Sequence, residues 1–468
     1  MNRIAAANPL FYQTSAETPM VAKAEGIYIW DEDGRKYIDG CSGAIICNIG
    51  HGDPGVLAAI NEQAKSAFFT YRTQFENRPA VKLAQKLVDL STPGLDRVFY
   101  VSGGSEAVES AIKLCRSYFC SKGEHGRHLI ISRTPSYHGS TLGALALTAY
   151  APLEIPYRPM LKASPKIPAP YCYRCHYQLT YPQCNLACAK ALETAINEQG
   201  PENVAAFIAE PIGGASTGAL VPPEDYFAVI RDICNRYGIL LILDEVMTGF
   251  GRTGRLFAYE HWNLRPDIIA LSKGMASGYY PLGAVMAGNE LVESVLAGGG
   301  FPHGHTYAGN PMACAVGLAV LNRIVDDQLA ENAAETGRQL LSGLRQLAGH
   351  YPIIGEVRGR GLLTALEFVA DRESRAPFAN SDQIFNLVTR EAFSRGLIIY
   401  PRKSINGLAG DHVLIAPPLI ISAAQVDEML ERLNETLAAV TRLLADKTIH
   451  PGNQHHRTDQ STHKGETQ

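Results

Sequence analysis

Residues 96–119 read DRVFYVSGGSEAVESAIKLCRSYF, an apolar run followed by two glycines and an amphipathic segment. The apolar run predicts a buried strand, and the segment after the glycines predicts a helix that starts beside the end of that strand. Between about residue 80 and residue 320, further apolar runs alternate with helical segments in the same way. Strands that are apolar on both faces are typical of parallel sheets covered by helices, so the sequence predicts an α/β fold with a mainly parallel sheet.

The two ends of the chain have a different pattern. EDG at residues 32–34 stands between alternating apolar residues and predicts a hairpin of antiparallel strands. The last part of the chain predicts a helix, a strand pair and a long closing helix, which together indicate a smaller α+β domain. We therefore expect four regions: the N-terminal part of a small domain at 1–60, a large domain at 61–325, the C-terminal part of the small domain at 326–448, and a disordered, almost wholly polar tail at 449–468.

The composition is that of an ordinary globular protein. The 468 residues are 46% hydrophobic and carry a formal net charge of -4, which gives no general attraction for nucleic acid or an anionic membrane. The N-terminus lacks the apolar core of a secretory signal, and no apolar run approaches the roughly 20 residues that span a bilayer. We therefore expect a cytoplasmic protein without nucleic-acid or membrane partners, in which the cysteines are mostly reduced.

The strand within residues 96–119 ends at a sequence suited to binding a phosphate. Gly103 and Gly104 free the backbone, and Ser105 offers a hydroxyl as an N-cap. The helix that follows exposes N–H groups and the positive end of its dipole at this point. The alternative is an ordinary capping box with Glu106 in the first turn and no ligand.

Three more predicted strands end at unusual polar groups. TPSYHGST places Tyr137 and His138 at one end, where a flat aromatic ring can stack on a flat cofactor. Asp244 ends the apolar run LLILD, and a carboxylate buried there needs a cation such as a protonated ring nitrogen. Lys273 follows DIIALS, where a buried ammonium is costly unless it is chemically used. The alternatives are a packed Tyr-His corner, an aspartate bound to backbone N–H groups, and a lysine that extends to solvent.

A phosphate cradle, a stacking aromatic, a carboxylate for a pyridinium nitrogen and a lysine that can form an imine are the groups that pyridoxal phosphate (PLP) requires. Six segments also resemble, in order and spacing, the signature segments of class III (ω-amino-acid type) PLP-dependent aminotransferases: SGGSEAVESAIKL, SYHG, AEPIGGASTGALVPPEDY, LDEVMTGFGRTG, LSKGMASGYYPLGAV and HGHTYAGNPMACA. The resemblance covers roughly residues 20–440. It implies fold type I, PLP as cofactor and a homodimer with active sites at the subunit interface, and it leaves a tetramer open.

The resemblance also implies roles for residues at matching positions. Lys273 would form the imine with PLP and move the proton, while Asp244 would keep the pyridine nitrogen protonated and Val246 would pack beneath the ring. The remaining implied roles are phosphate binding by Gly104 and Ser105, phosphate binding from the partner subunit by Thr306, stacking by Tyr137 with His138 beside it, and lining of the site near cofactor and substrate by Glu210.

Two positions depart from the family pattern and bear on the substrate. Many members that take an α-carboxylate have an arginine shortly before the PPL segment, where this chain has Leu414 in HVLIAPPLII. A bidentate arginine is the natural carboxylate clamp, so the simplest way of binding an α-amino acid is missing. Arg402 in the preceding loop is a candidate substitute, the alternative being a solvent-facing arginine. Ile45 stands where amine-type members often have a bulky aromatic, so a large aryl amine is not specifically indicated.

The segment YCYRCHYQLTYPQCNLAC contains two closely spaced pairs, Cys172 with Cys175 and Cys184 with Cys188. Such pairs are typical of a tetrahedral structural zinc site. However, the gap between the pairs is short, and the sequence fixes no groups that would support the ligands. We therefore favour a reduced, cysteine-rich insertion near the dimer interface that binds no metal and has no catalytic part.

Two enzymatic functions are compatible with these residues, and a non-catalytic one is disfavoured. The leading one is transfer of an amino group from a primary amine or ω-amino acid to a keto acid such as pyruvate or 2-oxoglutarate. The alternative is a class III-type lyase that eliminates ammonia or phosphate from a phosphorylated or phosphonate amine, because such a substrate needs no carboxylate clamp. A non-catalytic protein of this fold would be expected to have lost Lys273 or Asp244, and both are present.

Overall fold

The computed structural model describes residues 9–11, 18–379, 382–403 and 410–449. Its strands are β1 Val21–Glu25, β2 Tyr28–Asp31, β3 Lys36–Asp39, β4 Arg97–Val101, β5 Leu129–Thr134, β6 Lys166–Pro168, β7 Val204–Ala209, β8 Leu240–Asp244, β9 Ile268–Leu271, β10 Gly283–Ala287, β11 Ile354–Arg360, β12 Leu363–Phe368, β13 Leu397–Ile398, β14 Tyr400–Arg402 and β15 His412–Ile415. Its helices are α1 Ser42–Ile45, α2 Pro54–Ala64, α3 Arg78–Leu90, α4 Gly104–Ser121, α5 Leu142–Leu147, α6 Ala151–Glu154, α7 Ala187–Gln199, α8 Tyr226–Tyr237, α9 Asn289–Ala297, α10 Pro311–Asp326, α11 Leu329–His350, α12 Ile384–Ser394 and α13 Ala423–Ile449. Apart from Ile449, the predicted tail at 449–468 lies outside the described residues.

A seven-stranded sheet forms the centre of the fold, in the order β4-β10-β9-β8-β7-β5-β6. Five adjacent strands, in the order β6, β5, β7, β8 and β9, run parallel to one another. β10 is antiparallel to both β9 and β4. β7, β9 and β10 are buried along their whole length, which explains their continuous apolar runs. The predicted α/β fold with a mainly parallel sheet is therefore confirmed.

The two faces of this sheet pack against different helices. Ile242 and Ile268 belong to an apolar cluster with residues of α4 and α9. Leu241 and Leu243, which point to the opposite face, join a larger cluster with residues of α7, α8 and α10. Burial on both faces leaves the carboxyl ends of the strands as the accessible edge of the sheet. Within the described residues, no helix combines the length and apolarity needed to cross a membrane.

Two smaller sheets are built from the ends of the chain. β1, β2 and β3 form the predicted antiparallel meander, and β13 adds to it by pairing Leu397 with Ile38 in parallel. The second sheet, β11-β12-β15-β14, is antiparallel throughout. Both ends therefore contribute to the smaller part of the molecule, as the sequence predicts. The domain boundaries after residues 60 and 325 stay a prediction.

Arg252 connects these parts of the chain from a fully buried position. Its guanidinium donates to the carbonyl oxygens of Leu362 and Pro417, to Ser42 Oγ at 3.2 Å and to Asn48 Oδ1 at 2.9 Å. Burial lowers the pKa of Arg252 to about 10, and the negative charge of nearby Asp39 opposes that shift. The side chain thus stabilises the contact between the loop after β8 and segments from both ends of the chain.

We expect Arg252→Ala to lower the free energy of unfolding by at least about 2 kcal/mol, because four buried acceptors lose their donor. Urea denaturation followed by circular dichroism measures the change. Arg390→Ala is the matched control, since its side chain is 70% exposed and pairs with Glu391 at the surface, and we expect it to change stability by less than about 0.5 kcal/mol. Equal stability of the two variants would contradict the connecting role of Arg252.

Candidate active site

Most of the predicted site residues meet in one cavity of about 150 Å³ at the carboxyl edge of the central sheet. The lining residues are Gly104, Ser105, Tyr137, His138, Gly139, Glu210, Ile212, Asp244, Val246, Met247, Thr248 and Lys273. A larger cavity of about 950 Å³ lies between α11, the 3-10 helix Ala258–Trp262 and the end of β11, and none of the predicted site residues lines it. The smaller cavity is therefore the candidate active site, because the ionisable side chains predicted to act on a cofactor line it.

The start of α4 forms one wall of the cavity. Gly103, in an extended conformation, is the N-cap residue, and no side chain caps the first turn. The expectation that Ser105 caps the helix is therefore wrong: its Oγ accepts a hydrogen bond from the Ser140 N–H at 3.1 Å instead. Glu106 Oε2 accepts from the Ser102 N–H at 2.7 Å. The first N–H groups and the positive end of the dipole of this 18-residue helix are left for an anion.

Two glycines allow the backbone to approach this wall closely. A Cβ on Gly104 would lie 2.8 Å from Val246 Cγ1, and one on Gly139 would lie 2.7 Å from Ser105 Oγ. Gly139 also has φ +136°, which side chains rarely allow. Any larger residue at either position would therefore displace the groups that line the cavity.

Asp244, the last residue of β8, is buried and forms a hydrogen-bonded pair with His138. His138 Nδ1 lies 2.8 Å from Asp244 Oδ2, and Asp244 Oδ1 accepts from the Val246 N–H at 3.1 Å. The bond to the carboxylate orients the imidazole with Nδ1 as donor. His138 Nε2 is buried and has no hydrogen-bond partner among the described residues.

Lys273 follows β9 and lines the cavity. Its backbone is in the left-handed region, with φ +46°, an unfavourable conformation for a long side chain. Burial lowers the pKa of its amine to about 8, Asp244 and Glu210 oppose the shift, and the charge of Arg402 adds to it. A lysine with this pKa is partly neutral near physiological pH, and the neutral amine is the nucleophile.

Glu210 follows β7 and adds a second carboxylate to the cavity. Its Oε1 accepts from the Gly214 N–H at 2.9 Å, and buried Arg133 donates to its backbone oxygen and lies 3.9 Å from its Oε2. Burial raises the pKa of the Glu210 carboxyl. Oε2 has no hydrogen-bond partner among the described residues, so it can accept from a ligand.

The remaining predicted cofactor residues divide into two groups. Tyr137 and Val246 line the cavity, and the Tyr137 hydroxyl lies 3.1 Å from Ser140 Oγ. Thr306 does not line it and is exposed on a loop beside Tyr307, whose side chain is 65% exposed. The role of Thr306 in the site of a partner subunit stays a prediction.

The two departures from the family pattern meet in one apolar cluster. Ile45 and Leu414 are both buried and pack together with Ile212, while Met247 and Tyr400 lie against this cluster. Because Ile212 and Met247 also line the candidate active site, the cluster forms its apolar side. An arginine in place of Leu414 would bury a charge among apolar groups, so the carboxylate clamp expected of many relatives has no place there.

Arg402 lies on β14, beside the cavity rather than in it. Tyr400 pairs with Leu414 across the sheet, and Arg402 pairs with His412 two residues further along. The Arg402 guanidinium lies 4.5 Å from the Tyr400 ring centroid and donates to the Tyr400 hydroxyl at 2.6 Å. Its charge nevertheless lowers the pKa of Lys273, so it is within electrostatic reach of the reacting group.

Sequence reasoning missed several residues that line the cavity: Gly139, Ile212, Met247 and Thr248. Met247 and Thr248 directly follow Val246 within LDEVMTGFGRTG, so their place in a signature segment was the available signal. Thr248 is buried and donates to Glu245, which fixes the turn after β8.

Comparisons with known proteins identify the family of the chain. The class III aminotransferase family pattern matches residues 12–437. The chain belongs to the class III aminotransferase family. It is 39% identical to an uncharacterized aminotransferase of Bacillus subtilis (strain 168), over 92% of this chain and 98% of the relative, and 37% identical to a putrescine–pyruvate aminotransferase of Pseudomonas aeruginosa, over 90% and 91%. A solved amine transaminase from an uncultivated Pseudomonas species, in its PLP-bound form, superposes with a TM-score of 0.87 at 34% identity, over 92% of this chain and 98% of that one.

This class III aminotransferase is therefore a PLP-dependent enzyme of fold type I, and the predicted family, fold, enzyme class and cofactor are confirmed. The residues of the cavity fit PLP. A lysine of lowered pKa, a buried carboxylate at a strand end and an uncapped helix start line the same cavity. Two buried polar atoms without partners among the described residues, His138 Nε2 and Glu210 Oε2, are ready to bond to a ligand.

We expect covalent reconstitution of the apoenzyme with PLP to accelerate as the pH rises through about 8, because the neutral fraction of Lys273 grows over that range. Stopped-flow absorbance measures the rate. Nα-acetyl-lysine is the control, and its rate should rise with an inflection near about 10.4. A rate with the same inflection in protein and control would contradict the lowered pKa. Borohydride reduction and peptide mapping should find the cofactor on Lys273 and on no other lysine.

Proposed function

We propose that this aminotransferase moves an amino group from a primary amine or ω-amino acid to a keto acid such as pyruvate or 2-oxoglutarate. The observation that carries the proposal is that Lys273, Asp244 and the start of α4 line a single cavity with an apolar side. The relative named for putrescine and pyruvate supports an amine donor and a keto-acid acceptor.

PLP, when bound, supplies an electrophilic aldehyde and a ring that accepts electrons from the substrate Cα. We assign to Lys273 the covalent attachment of the cofactor, for which its lowered pKa provides the neutral amine. The free amine of Lys273 would remove the proton from the substrate Cα and return it. A pKa of about 8 suits an amine that must both accept and donate a proton near neutral pH.

Asp244 would hold the ring nitrogen protonated, since its carboxylate is buried and needs a cationic partner. His138, bonded to its Oδ2, would hold that carboxylate in the correct orientation. The start of α4, with Gly104 and Ser105, would bind the phosphate, together with Thr306 of the partner subunit. Val246 and Tyr137 would cover the two faces of the ring, and Glu210 would bond near cofactor and substrate through its unpartnered Oε2.

Arg402 is our candidate for binding the substrate carboxylate. It is stacked on Tyr400 at the edge of the site, and rotation of its long side chain away from the ring would bring the guanidinium towards Lys273. With Arg402 stacked aside, the apolar cluster around Ile45 and Leu414 accepts the uncharged part of an amine. One site can then take a donor without an α-carboxylate and an acceptor with one.

We also propose a cytoplasmic homodimer. Large apolar side chains are exposed on the segment between α2 and α3 and on the loop that carries Thr306: Phe68, Phe69, Tyr71, Phe75 and Tyr307. Contiguous exposure of this kind is typical of a surface that another subunit covers. The ring centroids of Phe69 and Tyr307 lie 5.9 Å apart in an edge-to-face contact, so the two segments belong to one surface.

The lyase alternative is not favoured, because relatives with assigned activities include a putrescine–pyruvate aminotransferase and a diaminobutyrate–2-oxoglutarate transaminase. We expect the holoenzyme with a diamine to stop after one equivalent of cofactor is converted and to continue only when pyruvate or 2-oxoglutarate is added. Absorbance of the cofactor and product analysis measure this dependence. Continuous release of ammonia or phosphate from an amine without any keto acid would contradict transamination.

We expect Arg402→Ala to raise the KM for the keto acid about ten- to a hundredfold, since a charged hydrogen bond to the carboxylate is lost. The first half-reaction with a diamine, which has no carboxylate, should change by less than about twofold. Lys403→Ala, next in the chain and exposed, is the matched control and should leave both values unchanged. Equal losses in both half-reactions of Arg402→Ala would contradict the carboxylate role.

A further inference from the structure

The segment from Tyr171 to Cys188, which connects β6 to α7, contains four cysteines that the catalytic site does not use. Its regular structure is limited to the 3-10 turn Cys172–Arg174 and the first residues of α7. Gln178, Asn185 and Leu186 have positive φ angles of 55°, 49° and 52°. A segment of this kind has little apolar core of its own, and short segments without a core are commonly held by cross-links or metal ions.

All four cysteine side chains, Cys172, Cys175, Cys184 and Cys188, line one small cavity of about 20 Å³. The four are free thiols, and none takes part in a disulfide. The four thiols therefore surround a space of the size that one ion requires.

The sequence alone favours an insertion without metal, but because all four cysteines line one cavity, we propose that Cys172, Cys175, Cys184 and Cys188 bind one Zn²⁺ ion in a tetrahedral structural site. The pairs are separated by two and by three residues, spacings that structural zinc sites use, and four thiolates form a closed site without an open position for catalysis. The metal supplies the positive charge that four thiolates need in a poorly hydrated cavity, and binding releases the thiol protons to water.

Zinc binding requires the sulfurs to draw together. Among the described residues, no three of these four sulfurs lie within 4.8 Å of one another. In that part of the chain, the only three potential ligand atoms that meet this limit belong to Asp39, Cys47 and His51. A tetrahedral site with Zn–S bonds of about 2.3 Å places its sulfurs about 3.8 Å apart. Cys175 and Cys184 lie in no helix, so side-chain rotation and small backbone shifts there achieve this change without disturbing α7.

The position of the segment indicates what the metal would stabilise. Tyr171 and Arg174 both donate to Glu367, a fully buried residue of β12. Arg375, which follows β12, donates to the Tyr173 carbonyl. The cysteine segment thus attaches the central sheet and α7 to the sheet formed by the C-terminal part of the chain, and a metal ion would make that attachment rigid.

The cluster of Asp39, Cys47 and His51 is a weaker candidate for a metal. Asp39 Oδ1 accepts from the Gly43 N–H at 3.0 Å, and its Oδ2 lies 3.1 Å from His51 Nε2, so both oxygens have partners. The positive charge of Arg252 also acts on Cys47. The negative charges of this cluster are already compensated within the protein, whereas those of four thiolates are not.

The test is the metal content of the holoenzyme, expressed without a metal-affinity tag and measured by inductively coupled plasma mass spectrometry. We expect one zinc ion per chain in the wild type and less than about one-tenth of that in Cys184→Ser. His176→Ala, in the same segment, and Cys47→Ser, in the other cluster, are matched controls that should keep the zinc. Full zinc content in Cys184→Ser, or loss in Cys47→Ser alone, would overturn the proposal.

A second measurement avoids dependence on the folding of a variant. Wild-type protein in which Co²⁺ replaces the metal should show the intense visible and near-ultraviolet bands of tetrahedral cobalt bound to thiolates. Removal of the metal by a mercurial and a chelator should release one equivalent and lower the midpoint of thermal unfolding. The site would be refuted if protein grown with ample zinc is isolated without metal, and alkylation with mass analysis then finds four free thiols or two disulfides.

Discussion

The amine of Lys273 is largely removed from water at the carboxyl end of β9, and the candidate active site depends on this desolvation. Burial disfavours the ammonium form, while the negative charges of Asp244 and Glu210 partly restore it, and a pKa of about 8 is the balance. A fully exposed lysine would be protonated and unreactive near neutral pH, whereas one buried without carboxylates nearby could not hold a proton. The charges of the neighbouring carboxylates therefore determine the reactivity of the amine as much as its burial does.

The parallel sheet explains why these groups meet. Asp244 pairs with Ala270 on the neighbouring strand, and Ala270 lies only three residues before Lys273. Glu210 directly follows β7, which pairs with β8. Because parallel strands end at the same edge, residues that follow different strands in the sequence become neighbours in space. For this reason the positions of Asp244, His138 and Lys273 could be predicted from strand ends and signature segments alone.

Other features of the site depend on contacts that no local pattern records. Ser105 has the sequence of an N-cap but bonds to the Ser140 N–H, because the loop around Gly139 packs against it. Ile45 and Leu414 are far apart in the chain and share one apolar cluster only after both ends of the chain have docked. The stacking of Arg402 on Tyr400 is likewise a choice among side-chain conformations, which spacing does not determine.

The pairing of β3 with β13 has a consequence for the chain as it is synthesised. Ile38 leaves the ribosome early, but its partner Leu397 is made only after most of the protein. Until then the outer edge of β3 carries unpaired N–H and C=O groups, the form of strand to which other chains add. Nascent and prematurely terminated chains therefore expose an unpaired, aggregation-prone strand edge that β13 covers in the completed protein.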